Sequence, residues 1–244
     1  MIDVMGEIEI KSVESLNWIF YDMPTLKIDG VHIYRISLVE EAHRIREFQA
    51  LLSLDEQIQA NRYLKKQDQD RFTISKAALR IILSRYMDIA PKALLFDVDT
   101  GKKPFVKSNR TFFFNISHSS DWALIAVSNM EVGIDIEFVK PDFVASDIVQ
   151  EYFSQDEISY LNSQHTATAF FKLWTRKEAF LKATGQGIGD HLKFTPSLTG
   201  VHQLNADLYG YQHNWKVLGF MLNSDYACAV ATASDLIFFL EYWM

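Results

Sequence analysis

The chain has 244 residues, 48% of them hydrophobic and 23% charged, which suffices for a sizeable buried core in one large domain or two small ones and excludes a disordered polymer. Its net charge of −7 excludes a broad, sequence-independent nucleic-acid binder, because that role needs a basic surface. Any anionic ligand must therefore be held by local clusters of Lys, Arg and backbone N–H groups.

Taken in chain order, residues 1–30 give no clear pattern and are expected to form an N-terminal extension packed on the body. Asp3, Glu7 and Glu9 replace the basic start of a signal peptide, and the apolar run Leu236 to Leu240 is too short to span a bilayer. A cytoplasmic protein without membrane contacts is expected. Val31 to Leu38 alternates as a strand. Ser53 followed by Asp55 and Glu56 predicts a helix start, since acids favour the positive end of a helix. That helix runs to about Tyr63, and a longer one is predicted from Gln67 to Tyr86. Gly101 to Pro104 reads as a basic turn. Strands follow at Phe112 to Asn115, Trp122 to Val127 and Val132 to Phe138. Short helices are predicted around 145–163 and a long one from Ala167 to Ala183, stopped at Gly185. Strands at Trp215 to Leu222, Tyr226 to Ala231 and Leu236 to Tyr242 close the chain.

An internal echo accompanies this order. Phe72-Thr73-Ile74-Ser75-Lys76-Ala77-Ala78-Leu79 parallels Leu173-Trp174-Thr175-Arg176-Lys177-Glu178-Ala179-Phe180. Ser120-Asp121-Trp122-Ala123 parallels Ser224-Asp225-Tyr226-Ala227. Both pairs run helix then hairpin, as a duplicated α+β unit would, and such a duplication places a cleft between its copies.

Three segments carry the chemistry. In Gly133-Ile134-Asp135-Ile136-Glu137, strand alternation sets Asp135 and Glu137 side by side with Ile134 and Ile136 facing the core. Adjacent carboxylates repel, and either a raised pKa or a cation relieves them; hard oxygens favour Mg²⁺ or Ca²⁺. The plain alternative is a solvent-facing strand edge. On the helix Phe170 to Lys182, Glu178 shares a stripe with Phe171, Trp174, Leu181 and Lys182. A carboxylate among apolar groups needs a cation, either Lys182 in a simple i,i+4 pair or a metal, with Lys182 then free to clamp a phosphate. In Phe114-Asn115-Ile116-Ser117-His118-Ser119, Ser117 and His118 at a strand tip can donate to a phosphate. The lone Cys228 closes no disulfide, no Cys/His spacing points to zinc, and no G-x-S-x-G pattern surrounds Ser117.

Read together, G-K-K-P, F-N-I-S-H-S, G-I-D-I-E and F-x-x-x-W-x-x-K-E-A-x-x-K resemble the 4′-phosphopantetheinyl transferase superfamily in its longer, two-lobed, surfactin-synthetase-activating type, over about residues 52–240. The resemblance implies an α+β fold of two similar α/β lobes, at 31–130 and 131–244, related by a pseudo-twofold axis. It implies transfer of the phosphopantetheine arm of coenzyme A to a serine of an apo acyl- or peptidyl-carrier protein by a monomeric enzyme. Asp135, Glu137 and Glu178 would hold Mg²⁺ against the diphosphate, which Lys182 also contacts. Ser117 and His118 would meet the 3′-phosphate, with Lys103 and Arg71 near the nucleotide. Glu157 matches a family acid and joins Glu178 and a metal-bound water as a possible base. Glu56 and Gln59 stand where family members often carry basic residues; Arg62 is a possible substitute. Two other readings stay open, a non-catalytic coenzyme A or carrier-binding homologue and a Mg²⁺-dependent diphosphate hydrolase. A carrier-docking surface is expected from the 145–183 region, with Lys172 and Arg176 facing outward.

Overall fold

The computed structural model describes residues 5–14, 16–20, 30–99, 103–107, 109, 111–187, 189, 191–209 and 214–241. Gly101 and Lys102 of the predicted basic turn lie outside the described residues. In chain order the first half contains β1 (Met5–Ser12), β2 (Ile19–Phe20), β3 (Val31–Ser37), α1 (Ile45–Leu51), α2 (Leu54–Ala60) and α3 (Lys66–Met87). A small hairpin, β4 (Phe96–Val98) and β5 (Pro104–Val106), leads to β6 (Phe113–Ser119) and β7 (Trp122–Ser128). The second half contains β8 (Val132–Phe138), α4 (Ser146–Tyr152), α5 (Gln155–Gln164), α6 (Ala167–Thr184) and β9 (Gly200–Asn205). It ends with α7 (Ala206–Tyr209), β10 (Trp215–Asn223), β11 (Tyr226–Thr232) and β12 (Ile237–Glu241).

These elements form a mixed α/β structure with two five-stranded sheets, ordered β2-β12-β3-β7-β6 and β8-β11-β10-β1-β9. The same unit occurs in each: a strand, a long helix, then a hairpin whose second strand lies between the other two. That unit is β3-α3-β6-β7 in the first sheet and β8-α6-β10-β11 in the second. Both pairs of the sequence echo fall on matching parts of it, the long helices and the hairpin turns. Val31–Ser37 pairs antiparallel with Trp122–Ser128, and Val132–Phe138 with Tyr226–Thr232.

Strand alternation sorts the side chains into layers. Val31, Ile33, Leu124 and Ala126 of the first sheet pack against Ile134, Ile136, Phe220 and Val230 of the second, so the sheets meet face to face. The opposite face of the first sheet, including Tyr34, Ile36, Ala123 and Ile125, packs on Phe72, Leu79, Ile82 and Leu83 of α3. Ala229 and Ala231 of the second sheet pack on Ala179, Phe180 and Ala183 of α6.

The N-terminal extension expected over 1–30 needs correction in its described part. Met5–Ser12 is an interior strand of the second sheet, parallel to β10 and antiparallel to β9. Ile8 and Ile10 are fully buried while Glu7 is exposed, an alternation the sequence itself displays. Conversely, β12 at the other end of the chain pairs with β3 of the first sheet. Sheet membership therefore crosses the expected division at residue 31 in one direction and at 131 in the other. The helix at 45–51 also went unpredicted, because its single buried residue, Phe48, leaves almost no periodic signal.

Candidate active site

Gly133 sets the geometry. A Cβ on this residue would lie 2.1 Å from the Ala179 carbonyl oxygen and 2.3 Å from the Ala183 nitrogen, so only glycine lets α6 rest directly on β8. With the helix at that distance, Asp135 and Glu137 on the α6 face of β8 lie beneath Glu178 and Lys182. The α6 helix itself starts at Thr166, whose hydroxyl accepts from the Ala169 N–H, and ends at Gly185 in the left-handed region at φ 74°.

Asp135 is 3% exposed; its Oδ1 accepts hydrogen bonds from Lys182 Nζ at 2.6 Å and Ser117 Oγ at 2.9 Å. Its Oδ2 is buried without a hydrogen-bond partner. Glu137 Oε2 accepts from Ser119 Oγ at 3.1 Å, and burial followed by the Asp135 charge raises its carboxyl above the usual range. Glu178 is 5% exposed; burial, then Asp135 and Glu137, push its carboxyl up to about 7 against the opposing pull of Lys182. Burial alone would lower the Lys182 ammonium, but Asp135, Glu178 and Glu137 together outweigh it and raise it.

Strand β6 supplies the other wall. Its edge meets β8 through side chains: Ile134 N–H donates to Asn115 Oδ1 at 2.9 Å and Phe138 N–H to Ser119 Oγ at 3.0 Å. Asn115, Ser117 and Ser119, at every second position, thus join the two sheets and place a hydroxyl on Asp135 and on Glu137. Sequence reasoning missed Asn115 and Ser119 as site residues, although their period of two on a strand was the available signal.

His118 is exposed, on the opposite side of β6 from Ser117. Desolvation of the ring, with the Arg71 and Lys182 charges beside it, lowers its imidazole below the ordinary value. Arg71 Nη1 donates to Asp68 Oδ1 at 3.0 Å. Lys103 approaches from β5 and donates to the Ala183 carbonyl at 2.8 Å, satisfying an end-carbonyl of α6. Burial pushes its ammonium down to about 8.

Glu157 goes elsewhere. It is buried, closes a capping box with Ser154, accepts from Ser197 Oγ at 2.5 Å and pairs with Lys177 Nζ at 2.9 Å. Lys177 is fully buried and also donates to the Leu192 and Thr195 carbonyls. Every partner of Glu157 lies outside the carboxylate group, so the structure gives it a place in the scaffold rather than at the reacting centre. Arg176 likewise is 5% exposed and inward, bonded to Ser197 O and Ser12 Oγ, which corrects the expectation that it faces a partner; Lys172 is exposed as expected. Glu56 caps α2 through Ser53 and holds buried Arg80 at 2.8 Å, which explains an acid where a basic residue was expected. Arg62 is exposed.

Among the described residues, no group of three or more His, Cys, Asp or Glu side chains stands arranged around a metal position. Lys182 occupies the one Asp135 oxygen that is bonded. The residues nonetheless fit a hard divalent cation: Asp135 Oδ2 lacks a partner, and burial together with the neighbouring carboxylates lifts the carboxyls of Glu137 and Glu178.

Buried carboxylates and a lysine thus meet at a seam between the two sheets. Two family models match the chain. One described as the 4′-phosphopantetheinyl transferase superfamily matches residues 131–231, and one described as 4′-phosphopantetheinyl transferase, N-terminal, matches 41–130. The 4′-phosphopantetheinyl transferase HetI of Nostoc sp. is 32% identical over 216 residues, 86% of this chain and 90% of its own length. The 4′-phosphopantetheinyl transferase psf-1 of Bacillus pumilus is 31% identical over 85% of this chain and 90% of its own. The 4′-phosphopantetheinyl transferase Sfp of Bacillus subtilis is 27% identical over 85% and 92%. The chain belongs to the 4′-phosphopantetheinyl transferase superfamily.

Proposed function

We propose that this protein transfers the 4′-phosphopantetheine arm of coenzyme A to a serine of an apo acyl- or peptidyl-carrier protein, with Mg²⁺, releasing adenosine 3′,5′-bisphosphate. The observation that carries the reading is the pinning of α6 onto Gly133, which holds Glu178 and Lys182 over Asp135 and Glu137. The recurrence of strand, helix and hairpin in both sheets supports two similar lobes related by a pseudo-twofold axis, with the site at their seam. Asp135, Glu137 and Glu178 would hold the Mg²⁺, and Arg71, Ser117 and His118 would bind the nucleotide end of coenzyme A. Lys103 contributes by holding the end of α6.

Mg²⁺, when bound, supplies charge neutralisation on the diphosphate oxygens during displacement. Lys182 adds a fixed positive charge where the leaving phosphate becomes more negative, and Ser117 orients that ammonium through their 3.2 Å hydrogen bond. Burial and the neighbouring carboxylates lift the Glu178 carboxyl to about 7 in the metal-free site; with Mg²⁺ bound it would be ionised, the form that can accept the proton of the attacking serine hydroxyl. The low position of the His118 imidazole keeps it neutral until an anionic phosphate arrives and favours its protonated form. Aligning both substrates in one cleft contributes further, up to about 7–11 kcal/mol in well-oriented systems. No helix among the described residues is long and apolar enough to cross a membrane.

Mass spectrometry of a panel of apo-carriers, incubated with this protein, coenzyme A and Mg²⁺, tests the reading. The expected result is a phosphopantetheine adduct on a carrier serine. Coenzyme A cleavage that proceeds without any carrier would instead establish a diphosphate hydrolase. Coenzyme A binding with neither product would establish a non-catalytic homologue.

A further inference from the structure

Two serines on β6 each engage one oxygen of the two carboxylates on β8. Ser117 Oγ accepts from Lys182 Nζ at 3.2 Å and donates to Asp135 Oδ1 at 2.9 Å. Ser119 Oγ accepts the Phe138 N–H at 3.0 Å and stands 3.1 Å from Glu137 Oε2. A serine hydroxyl carries a single proton and a backbone N–H can only donate, so the Ser119 proton goes to Glu137. On Asp135, 3% exposed, Oδ2 is left without a partner. Among the described residues, Glu137 takes its hydrogen bond on Oε2 alone. Each carboxylate therefore keeps one engaged oxygen and one free.

Ser119 acts from a fixed backbone. It closes β6 opposite Trp122 of β7, and Ser120 after it turns the chain in the left-handed region at φ 48°. A hydrogen bond behind a ligating carboxylate orients it and decides which oxygen is offered. That choice separates the two hard cations. Ca²⁺ takes roughly six to eight oxygens and accepts carboxylates by both oxygens, whereas Mg²⁺ demands near-octahedral geometry, which the narrow bite of a two-oxygen carboxylate distorts.

We propose that Ser119 is a positioning residue that offers Glu137 to the cation through Oε1 alone and thereby biases the site towards Mg²⁺ and against Ca²⁺. The inference rests on the cation assignment of the transferase reading and adds what sets the choice of ion.

Melting curves of the full chain across Mg²⁺ and Ca²⁺ series, without coenzyme A, give the affinity for each ion. In Ser119→Ala the freed Oε2 can join Oε1 on a large ion. Mg²⁺ affinity should then fall about tenfold, the low end for losing a partner behind a ligand, while Ca²⁺ affinity is kept or rises. Ser119→Thr, which keeps the hydroxyl, should retain the wild-type ratio of the two. Should Ser119→Ala fail to fold, Ser119→Cys, whose thiol is a weak donor, must show the same fall. Ser119→Ala also strips the Phe138 N–H of its partner, so its metal-free melting temperature should drop. That drop beside an unchanged Mg²⁺-to-Ca²⁺ ratio would reduce Ser119 to a scaffold role and overturn the proposal. So would a Thr variant that loses the ratio as Ala does. A wild type that responds to neither ion would overturn it together with the metal assignment, whereas carrier modification, followed by mass spectrometry, tests the transferase reading by itself.

Discussion

Strands β3 and β8 occupy the same place in the repeated strand-helix-hairpin unit, each beneath a long helix, yet they show that helix opposite chemistry. From β3, His32 Nδ1 and the Tyr34 hydroxyl both reach the Tyr86 hydroxyl of α3 at 2.6 Å, and Ile36 completes an apolar contact. From β8, Gly133, Asp135 and Glu137 face α6 with no side-chain bulk, then two carboxylates. The helices answer in kind. Aligning Phe72 to Leu79 with Leu173 to Phe180 sets Ala77 against Glu178, and continuing the register sets Ile81 against Lys182. One strand–helix interface is thus closed by neutral hydrogen bonds and packing, and the other is left electrostatically frustrated. The lesson is that the scaffold needs only the first arrangement; the second costs stability, a cost that the proposed cation would relieve.

The sharpest way to break the comparison is to neutralise β8. Asp135→Asn keeps the shape and removes the charge, and carrier modification should fall on the order of 1000-fold, the scale for losing one preorganised charge in a reacting site. Mg²⁺ should raise the melting temperature of the wild type but not of this variant. A variant with near-normal turnover at limiting Mg²⁺ would remove the metal assignment.

Glu157 tests whether frustration, rather than any buried acid, marks the site. Glu157 is fully partnered by Lys177, Ser197 and Ser154, so Glu157→Gln should cost about 3–5 kcal/mol in urea unfolding while turnover per folded molecule is kept. Collapsed turnover at unchanged stability would return it to the catalytic set. Gly133→Ala should cost towards the upper end of about 1–3 kcal/mol, because the new methyl meets helix backbone and α6 must shift. Activity should fall with it, as Glu178 and Lys182 ride on that helix.

How far this contrast was legible in the sequence follows from locality. Asp135, Glu137, Glu178 and Lys182 were readable because strand and helix periods fix their faces without any tertiary information. Ser53 with Glu56 announced α2 by a local capping pattern. The fate of Glu157 and Arg176 was not readable: each finds its partners, Ser197 or Ser12, across stretches of chain that no local rule links. The placement of β1 failed for the same reason. No strand is expected in residues 1–30 although Ile8 and Ile10 alternate with acids, and nothing nearby says that such a strand joins the sheet of the other half. His118 sits between these cases, and His118→Ala should weaken coenzyme A by roughly 10- to 100-fold while leaving 3′-dephospho-coenzyme A unaffected. Equal losses for both ligands would show that His118 does not read the 3′-phosphate.

The smallest expected effect is a pH slope that only the frustrated interface should possess. Glu178 is raised to about 7 in the folded protein, above the ordinary carboxylate value of the unfolded chain. Between those values the folded state holds a proton that the unfolded state has released, so this group's stability is full at low pH and is lost as pH rises towards 7. Glu137, also raised, acts in the same direction. His118, which is lowered, acts in the opposite one, so the net slope alone is ambiguous. The difference between wild type and Glu178→Gln isolates the term. Without metal, the wild type should lose about 2–4 °C of melting temperature relative to the variant between pH 5 and pH 8, corresponding to roughly 1 kcal/mol for a chain of this size. Added Mg²⁺ should flatten or reverse that relative loss, because a bound cation favours the ionised carboxylates. Parallel melting curves for the two proteins across this range would mean that Glu178 is ionised and relaxed in the empty site, and the strained interface would then reduce to Asp135 and Glu137 alone.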